Sequence, residues 1–192
     1  MPRKNRFTRE EILASALDLT REKGIAAVTA RGLGEWLGTS SKPVFGQFEN
    51  MEAVQRAVFT AAEEEYAAFL REDMAAGKYP PYKASGMAYI RFAREQKELF
   101  KLLFMRDRTH EEKAAGDELE ALLGLIQKNM GLSRDDAYRF HLEMWIYVHG
   151  IATMIATAYL EWDMDFISAA LTDAYQGLRL RFLPKETEGE RK

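Results

Sequence analysis

The stretch from Val28 to Phe48 reads VTARGLGEWLGTSSKPVFGQF, which predicts two short helices joined by a tight turn. Thr29 has the side chain of a helix N-cap, and Gly38 lies where the turn must follow. Pro43 falls in the first turn of the second helix. Proline has no backbone N–H, and it is tolerated there because an N–H in the first turn has no hydrogen-bond partner within the helix. Gly34 is small where the two helices would approach each other. Two short helices joined by a glycine-containing turn form a helix-turn-helix.

A small core is expected between these two helices and a helix that precedes them. Leu33, Leu37 and Val44 are the apolar residues that would close this core. The preceding helix is expected over residues 9–23, because the sequence TREE at residues 8–11 is a capping box. Taken alone, such a pattern also occurs by chance in many helical proteins, so it leaves the function open.

The rest of the chain is expected to be helical as well. Apolar positions recur at spacings of three and four residues, and alternating β-branched runs are absent. Gly77 to Tyr82, with two consecutive prolines, is the clearest helix breaker. The later helices are expected over residues 51–76, 83–95, 97–106, 111–129, 134–160 and 164–182. The predicted fold class is therefore all-α, with about nine helices.

Composition limits the classes of function. The 192 residues are 47% hydrophobic and 30% charged, as in a soluble globular protein. There is no cysteine, which excludes disulfides and zinc ribbons and suits a reducing cytoplasm, where we expect the protein. No apolar run follows the basic N-terminus, so no signal peptide is expected. The longest uncharged stretch, residues 144–160, has 17 residues, fewer than the roughly 20 of a membrane-spanning helix.

Charge is distributed unevenly along the chain. Residues 1–50 carry eight Lys and Arg against six Asp and Glu, a net charge of +2. Residues 51–192 carry 19 against 24, a net charge of −5. A nucleic-acid binder needs a basic surface only locally, so this small asymmetry is compatible with DNA binding without deciding it.

The sequence around the helix-turn-helix resembles the tetracycline-repressor (TetR) family of bacterial regulators. Residues 8–54 contain, in order, TREEILxxALxL, EKG, VTARxL and LGTSSKPVFxQFENMEAV. The resemblance implies an N-terminal helix-turn-helix DNA-binding domain over residues 1–50 and a larger helical domain for ligand binding and dimerisation over residues 51–184. The charged residues 185–192 are expected to form a disordered tail.

The resemblance also implies a set of DNA-contacting residues. They are Arg3, Lys4, Arg6, Thr29, Arg31, Thr39, Ser40, Ser41, Lys42, Pro43, Val44, Phe45 and Gln47. The first three would form a flexible arm, Thr29 and Arg31 would meet phosphates, and residues 39–44 would lie along the major-groove face of the recognition helix.

Four residues differ from those that the family commonly has at the same positions. Phe45 and Gln47 stand where Tyr and His commonly contact the DNA backbone, and Phe45 has no hydroxyl to donate. Lys42 replaces a common glycine, and Met51 stands where a phosphate-contacting lysine is frequent. Ordinary core packing is an alternative role for Phe45.

The C-terminal part carries weaker resemblances. Residues 145–150 are similar to the W-x-x-x-H-G signature of one C-terminal subclass, and residues 98–104 look like the sixth helix of that subclass. The helix over residues 134–160 is apolar almost all round beyond Met144 and contains small residues for close helix approach, namely Gly150, Ala152, Ala156 and Ala158. The resemblance implies that the last two helices of each subunit form a four-helix interface in a homodimer, which would match a palindromic operator.

A group of aromatic residues in the middle of the chain is expected to bind a small-molecule effector. The proposed ligand-binding residues are Tyr66, Tyr89, Phe92, Phe100, Phe104, Trp145 and His149, with ordinary core packing as the alternative. His141 and His149 are eight residues apart, roughly 12 Å along a helix, so they could not share one metal ion. No metal site, cofactor or enzymatic activity is expected, because phosphate-binding loops and the common hydrolase motifs are absent.

These observations predict a ligand-responsive transcriptional regulator. It would be a repressor that binds a palindromic operator as a dimer and is released by a small apolar or aromatic effector. The alternative is a helical small-molecule-binding protein that no longer binds DNA, and a weaker one is a purely structural dimerisation module.

Overall fold

A computed structural model describes residues 7–107, 109 and 116–182, and every regular element in these ranges is a helix. The α-helices are α1 (Arg9–Lys23), α2 (Ala30–Trp36), α3 (Lys42–Phe45), α4 (Met51–Ala75), α5 (Pro81–Glu95), α6 (Lys97–Phe104), α7 (Asp117–Met130), α8 (Arg134–Ala156) and α9 (Met164–Phe182). A 3₁₀ turn, Ile25–Ala27, follows α1. The predicted all-α fold class is confirmed. The expected arm residues Arg3, Lys4 and Arg6 and the tail at 185–192 lie outside the described residues.

Most helix ends agree with the sequence patterns. Thr8 and Glu11 form the expected capping box, in which each side chain accepts a hydrogen bond from the other residue's backbone amide. The prediction that α8 continues to residue 160 was wrong, because α8 ends at Ala156. Beyond it, Ala158 adopts a positive φ of 54°, which interrupts the helical backbone.

The chain forms two compact units. The first consists of the described parts of Met1–Glu72 and Arg91–Thr109, and the second of Asp73–Ile90 with the described part of His110–Lys192. Two of the three divisions fall inside helices, one in α4 and the other in α5. The boundary expected after residue 50 separates a DNA-binding part from a ligand-binding part by function, and it stays a prediction.

In the first unit, the helix-turn-helix packs on α1. Ile12 and Ala16 of α1, Leu33 of α2 and Val44 of α3 are completely buried and form the small core. On another side of α1, helix α6 packs against it. The carboxylate of Glu98 on α6 would lie 3.0 Å from a Cβ atom placed on Gly24, the residue that caps α1.

In the second unit, α7, α8 and α9 pack together with the first part of α5. The core contains Leu123, Ile126 and Phe140, and the rings of Tyr82 and Tyr175 pack against it. In the part of the chain that the structure describes, no helix combines the length and the apolarity needed to cross a membrane.

Candidate DNA-binding and effector sites

The turn between α2 and α3 is shaped by two glycines. Thr29 caps α2, since its Oγ1 accepts a hydrogen bond of 3.0 Å from the Gly32 amide. Gly38 has a φ of 63°, which favours glycine. A Cβ atom on Gly34 would lie 3.0 Å from the Thr39 carbonyl oxygen and 3.1 Å from the Ser41 nitrogen. The backbone of the turn therefore lies directly on α2, as the sequence predicts for Gly34.

Helix α3, the expected recognition helix, presents a mixed polar and aromatic surface. Ser40, Ser41, Lys42, Phe45 and Gly46 line one open concave surface. Ser40, Lys42 and Phe45 are exposed, whereas Ser41 is half-buried. Among the other residues expected at this surface, Thr39 and Pro43 are half-buried.

Val44 does not lie at this surface. Its side chain is fully buried and contributes to the core of the first unit. The expectation that Val44 lies on the major-groove face of α3 is contradicted. A helix of four residues needs at least one apolar side chain to hold it on the domain, and in α3 that residue is Val44. The other expectation for Val44, closing the small core, is confirmed.

Gln47 makes a contact that sequence reasoning missed. Its Nε2 donates a hydrogen bond of 3.0 Å to the carbonyl oxygen of Phe7, 40 residues earlier in the chain. Beside it, the guanidinium of Arg9 lies 4.6 Å from the centre of the buried Phe48 ring. Gln47 therefore fixes the backbone of Phe7 beside α3, and no local pattern marks a contact over such a sequence distance.

The residues expected to meet phosphates at the start of α2 are accessible. Thr29 and Arg31 are both exposed. The Nε of Arg31 donates to the Glu35 carboxylate over 2.8 Å, and both side chains are largely open to solvent. Ion pairs that are this exposed are weak, so Arg31 remains available for a phosphate group.

Four of the seven proposed effector residues form an aromatic cluster in the first unit. Tyr66 makes edge contacts with Phe92 at 5.2 Å and with Phe104 at 5.1 Å between ring centroids. Phe100 packs against Phe104 at 5.2 Å. Phe92 and Phe100 are completely buried, and edge-to-face ring contacts of this kind stabilise a core.

The other three lie in the second unit, between α5 and α8. The hydroxyl of Tyr89 is 2.8 Å from Nδ1 of His149. The indole of Trp145 stacks on the His149 ring with centroids 5.8 Å apart and an interplanar angle of 14°. Tyr89 also contacts the same indole at 4.7 Å. The seven residues therefore fall into two groups, one in each unit.

A second tyrosine–histidine pair repeats this arrangement along the same two helices. The hydroxyl of Tyr82 is 3.2 Å from Nδ1 of His141, and the His141 ring lies 6.4 Å from Trp145. Burial lowers the pKa of both His141 and His149. The neutral imidazole is thereby favoured, and its unprotonated Nδ1 can accept the tyrosine hydrogen. Tyr82 and His141 were not in the expected set, although each lies on the same helix as its counterpart in the other pair.

Residues 82–175 match a tetracyclin repressor-like, C-terminal domain. This family model covers the chain from α5 to the middle of α9 and supports membership of the TetR family. It is independent of the motifs over residues 8–54, which lie outside the matched range. No curated protein gave a significant match to the chain.

The tetracyclin repressor-like domain contains both tyrosine–histidine pairs and Trp145. The narrower resemblance of residues 145–150 to the W-x-x-x-H-G subclass stays a prediction. Within the described ranges, no group of three or more His, Asp or Glu side chains is placed to hold a metal ion.

Proposed function

We propose that this protein is a ligand-responsive transcriptional repressor of the TetR family that binds a palindromic operator as a homodimer. The observation that carries the proposal is a helix-turn-helix with an accessible recognition surface, followed in the chain by a tetracyclin repressor-like domain. The proposal assigns binding functions and no catalytic step.

The recognition surface has the chemistry that DNA requires. Ser40 and Ser41 carry hydroxyls, which can pair with phosphates or with base edges, and Lys42 adds an exposed positive charge. The buried Val44 and Phe48 hold α3 on the domain from the other side. The half-buried recognition residues can contribute their backbone groups and their partly exposed atoms.

An exposed apolar surface on α8 and α9 supports dimerisation. On α8, Ile146 is 70% exposed and Leu142 is 41% exposed, while on α9 Phe166 is 52% exposed. Large apolar side chains exposed in a group are typical of protein interfaces. A two-fold dimer would place two recognition helices on successive half-sites of a palindrome.

The two aromatic groups support an apolar or aromatic effector. In the second unit, Tyr89, Trp145 and His149 combine flat apolar surface with polar atoms. One turn beyond His149 on α8, the Thr153 hydroxyl is buried and has no hydrogen-bond partner among the described residues. An aromatic ligand with one polar group could pack on these rings and form a hydrogen bond with one of these polar atoms.

Release from DNA would follow from linkage. An effector shifts the balance between a DNA-binding and a non-binding dimer only by its differential affinity for the two. We propose that α4 carries this shift, because α4 follows the helix-turn-helix directly and its last residues belong to the second unit.

Fluorescence anisotropy against DNA from upstream of the gene would test the proposal. Specific binding over scrambled duplex is expected, with an affinity that falls steeply as salt rises. Lys42→Ala should weaken binding and reduce the magnitude of the salt slope by about 1, because one phosphate contact is lost. Lys128→Ala, which removes an exposed charge from α7, is the matched control and should leave binding unchanged.

The alternative is a small-molecule-binding protein without DNA-binding activity. It is favoured by Phe45, which lacks a hydroxyl, and by Met51, which is half-buried at a position where a lysine is frequent in the family. A random-sequence DNA selection that enriches no palindrome would decide for this alternative. A thermal-shift screen with aromatic compounds would then separate it from a purely structural dimerisation module.

A further inference from the structure

The most unusual group on the recognition surface is an exposed phenyl ring. Phe45 is 49% exposed, although it lies between the buried Val44 and the nearly buried Phe48. The other residues of its concave surface are Ser40, Ser41, Lys42 and Gly46, so the ring is surrounded by hydroxyls, an amine and backbone. Val44 and Phe48 are the buried apolar residues of this segment, and Phe45 is not among the core residues.

The chemistry of Phe45 restricts what it can recognise. A phenyl ring cannot donate a hydrogen bond to a phosphate oxygen. In the major groove the base edges present hydrogen-bond donors and acceptors, and the apolar group among them is the C5-methyl of thymine. An exposed ring on a recognition helix therefore complements thymine better than any other base.

Lys42 lies three residues before Phe45 and on the same concave surface. Residues three apart on a helix are neighbours, so the amine and the ring are presented side by side. The amine attracts phosphates whatever the DNA sequence is. The ring adds binding free energy only where it contacts a methyl group.

We propose that Phe45 reads a thymine in each operator half-site by packing its ring on the C5-methyl group. This inference rests on the proposed function and adds one base to the description of the operator. Phe45 is the specificity-determining residue for that position, and Lys42 contributes affinity there without choosing the base.

The test begins with an operator enriched by random-sequence selection with the wild-type protein. Each thymine is then replaced by deoxyuridine, symmetrically in both half-sites, which removes the methyl group and nothing else. At one position, affinity should fall by about fourfold for each methyl group, or roughly fifteenfold for the two half-sites. Anisotropy titrations at one fixed salt concentration measure this ratio.

Two variants locate the effect. Phe45→Ala should bind the thymine and the deoxyuridine operators with the same affinity at that position, and it should unfold cooperatively with only a slightly lower midpoint, because about half of the ring is exposed. Lys42→Ala should bind both operators more weakly and keep the wild-type ratio.

The outcomes are distinguishable. Equal discrimination in the wild type and in Phe45→Ala, or no discrimination by the wild type at any thymine, would overturn the inference and leave the proposed function standing. A selection that enriches no operator would overturn the proposed function, and the inference with it.

Discussion

Ala158 adopts a left-handed backbone conformation with a φ of 54° immediately beyond α8. Its amide donates to the Ile155 carbonyl over 3.0 Å, and the next amide, of Tyr159, donates to the Met154 carbonyl over 2.9 Å. This pair of hydrogen bonds is a Schellman motif, in which glycine is the usual residue at the left-handed position. A side chain at this φ is strained, because its Cβ approaches the following carbonyl oxygen.

Ala158→Gly should stabilise the protein. We expect the free energy of unfolding to rise by about 0.5–1 kcal/mol, since relief of the strain exceeds the added entropy of the unfolded chain. The change would appear as a higher urea midpoint with an unchanged slope. Ala169→Gly is the matched control, because Ala169 is exposed inside α9, where glycine should lower stability by a similar amount. Destabilisation by both substitutions would contradict the strain at Ala158.

Burial lowers the pKa of His141 and His149 and so favours the neutral form of each ring. Each Nδ1 has a tyrosine hydroxyl as partner. In the unfolded chain each imidazole has its ordinary pKa, near 6.5. The unfolded chain therefore binds more protons than the folded one just below that pH, so folding loses stability as the pH falls.

Acidification from about pH 7.5 to about pH 5.5 should lower the free energy of unfolding of the wild-type protein. His141→Asn should weaken this dependence, because its amide oxygen can still accept from Tyr82 but has no proton to take up. Urea titrations at a series of pH values measure both curves, and His149→Asn should behave in the same way. Parallel curves for the wild type and both variants would show that these histidines do not titrate differently in the folded state.

Helix α3 illustrates how a short element depends on its neighbours. A helix of four residues is not stable alone, because nucleation is unfavourable and few hydrogen bonds follow it. Two interactions fix it here: the buried side chain of Val44, and the close approach of the turn at Thr39 and Ser41 to Gly34. The orientation of the recognition surface follows from that approach.

Gly34→Ala should displace the turn and with it α3. Its Cβ atom would lie 3.0–3.1 Å from backbone atoms of residues 39–41, so we expect a loss of stability of about 1–3 kcal/mol and weaker DNA binding. Gly124→Ala is the control, because Gly124 is exposed in α7 with open space around its Cβ position. That substitution should raise stability by about 0.5–1 kcal/mol. Chemical denaturation and DNA titration measure both effects, and an unperturbed Gly34→Ala protein would contradict the close approach.

For the molecule as a whole, the proposed activity requires two copies of the chain. Apolar side chains remain exposed on α8 and α9, and a second copy of the chain that covered them would remove this apolar surface from water. A palindromic operator would then be bound by two recognition helices at once, and a monomer would engage a single half-site.

Ile146→Arg should convert the proposed dimer to a monomer. Ile146 is 70% exposed on α8, and a charge placed in an apolar interface is costly to desolvate. Sedimentation velocity at low micromolar concentration should show the mass of one chain, and operator affinity should fall. Met74→Arg, at an exposed apolar position on α4, is the control and should remain dimeric. A dimeric Ile146→Arg protein would place the interface elsewhere.

The helices and the helix-turn-helix were predictable because their signals are local. Thr8 with Glu11 and Thr29 with Gly32 interact over three residues, and Gly38 adopts a backbone conformation that the turn itself requires. Caps, turns and helical periodicity depend on neighbours in the chain, which a sequence displays directly. On this basis the sequence by itself determined the all-α class, most helix ends and the position of the helix-turn-helix.

Tertiary structure decided which way individual side chains face and with which residues they pair. Val44 and Phe45 are adjacent apolar residues, and the packing of α3 on its neighbours buries the first and leaves the second exposed. Gln47 pairs with Phe7 over 40 residues, and Tyr82 pairs with His141 over 59. The seven aromatic and histidine residues proposed to bind one effector are likewise divided between the two units, because their positions depend on tertiary packing. Contacts between residues distant in sequence depend on how the helices assemble, and no pattern within one helix specifies that assembly.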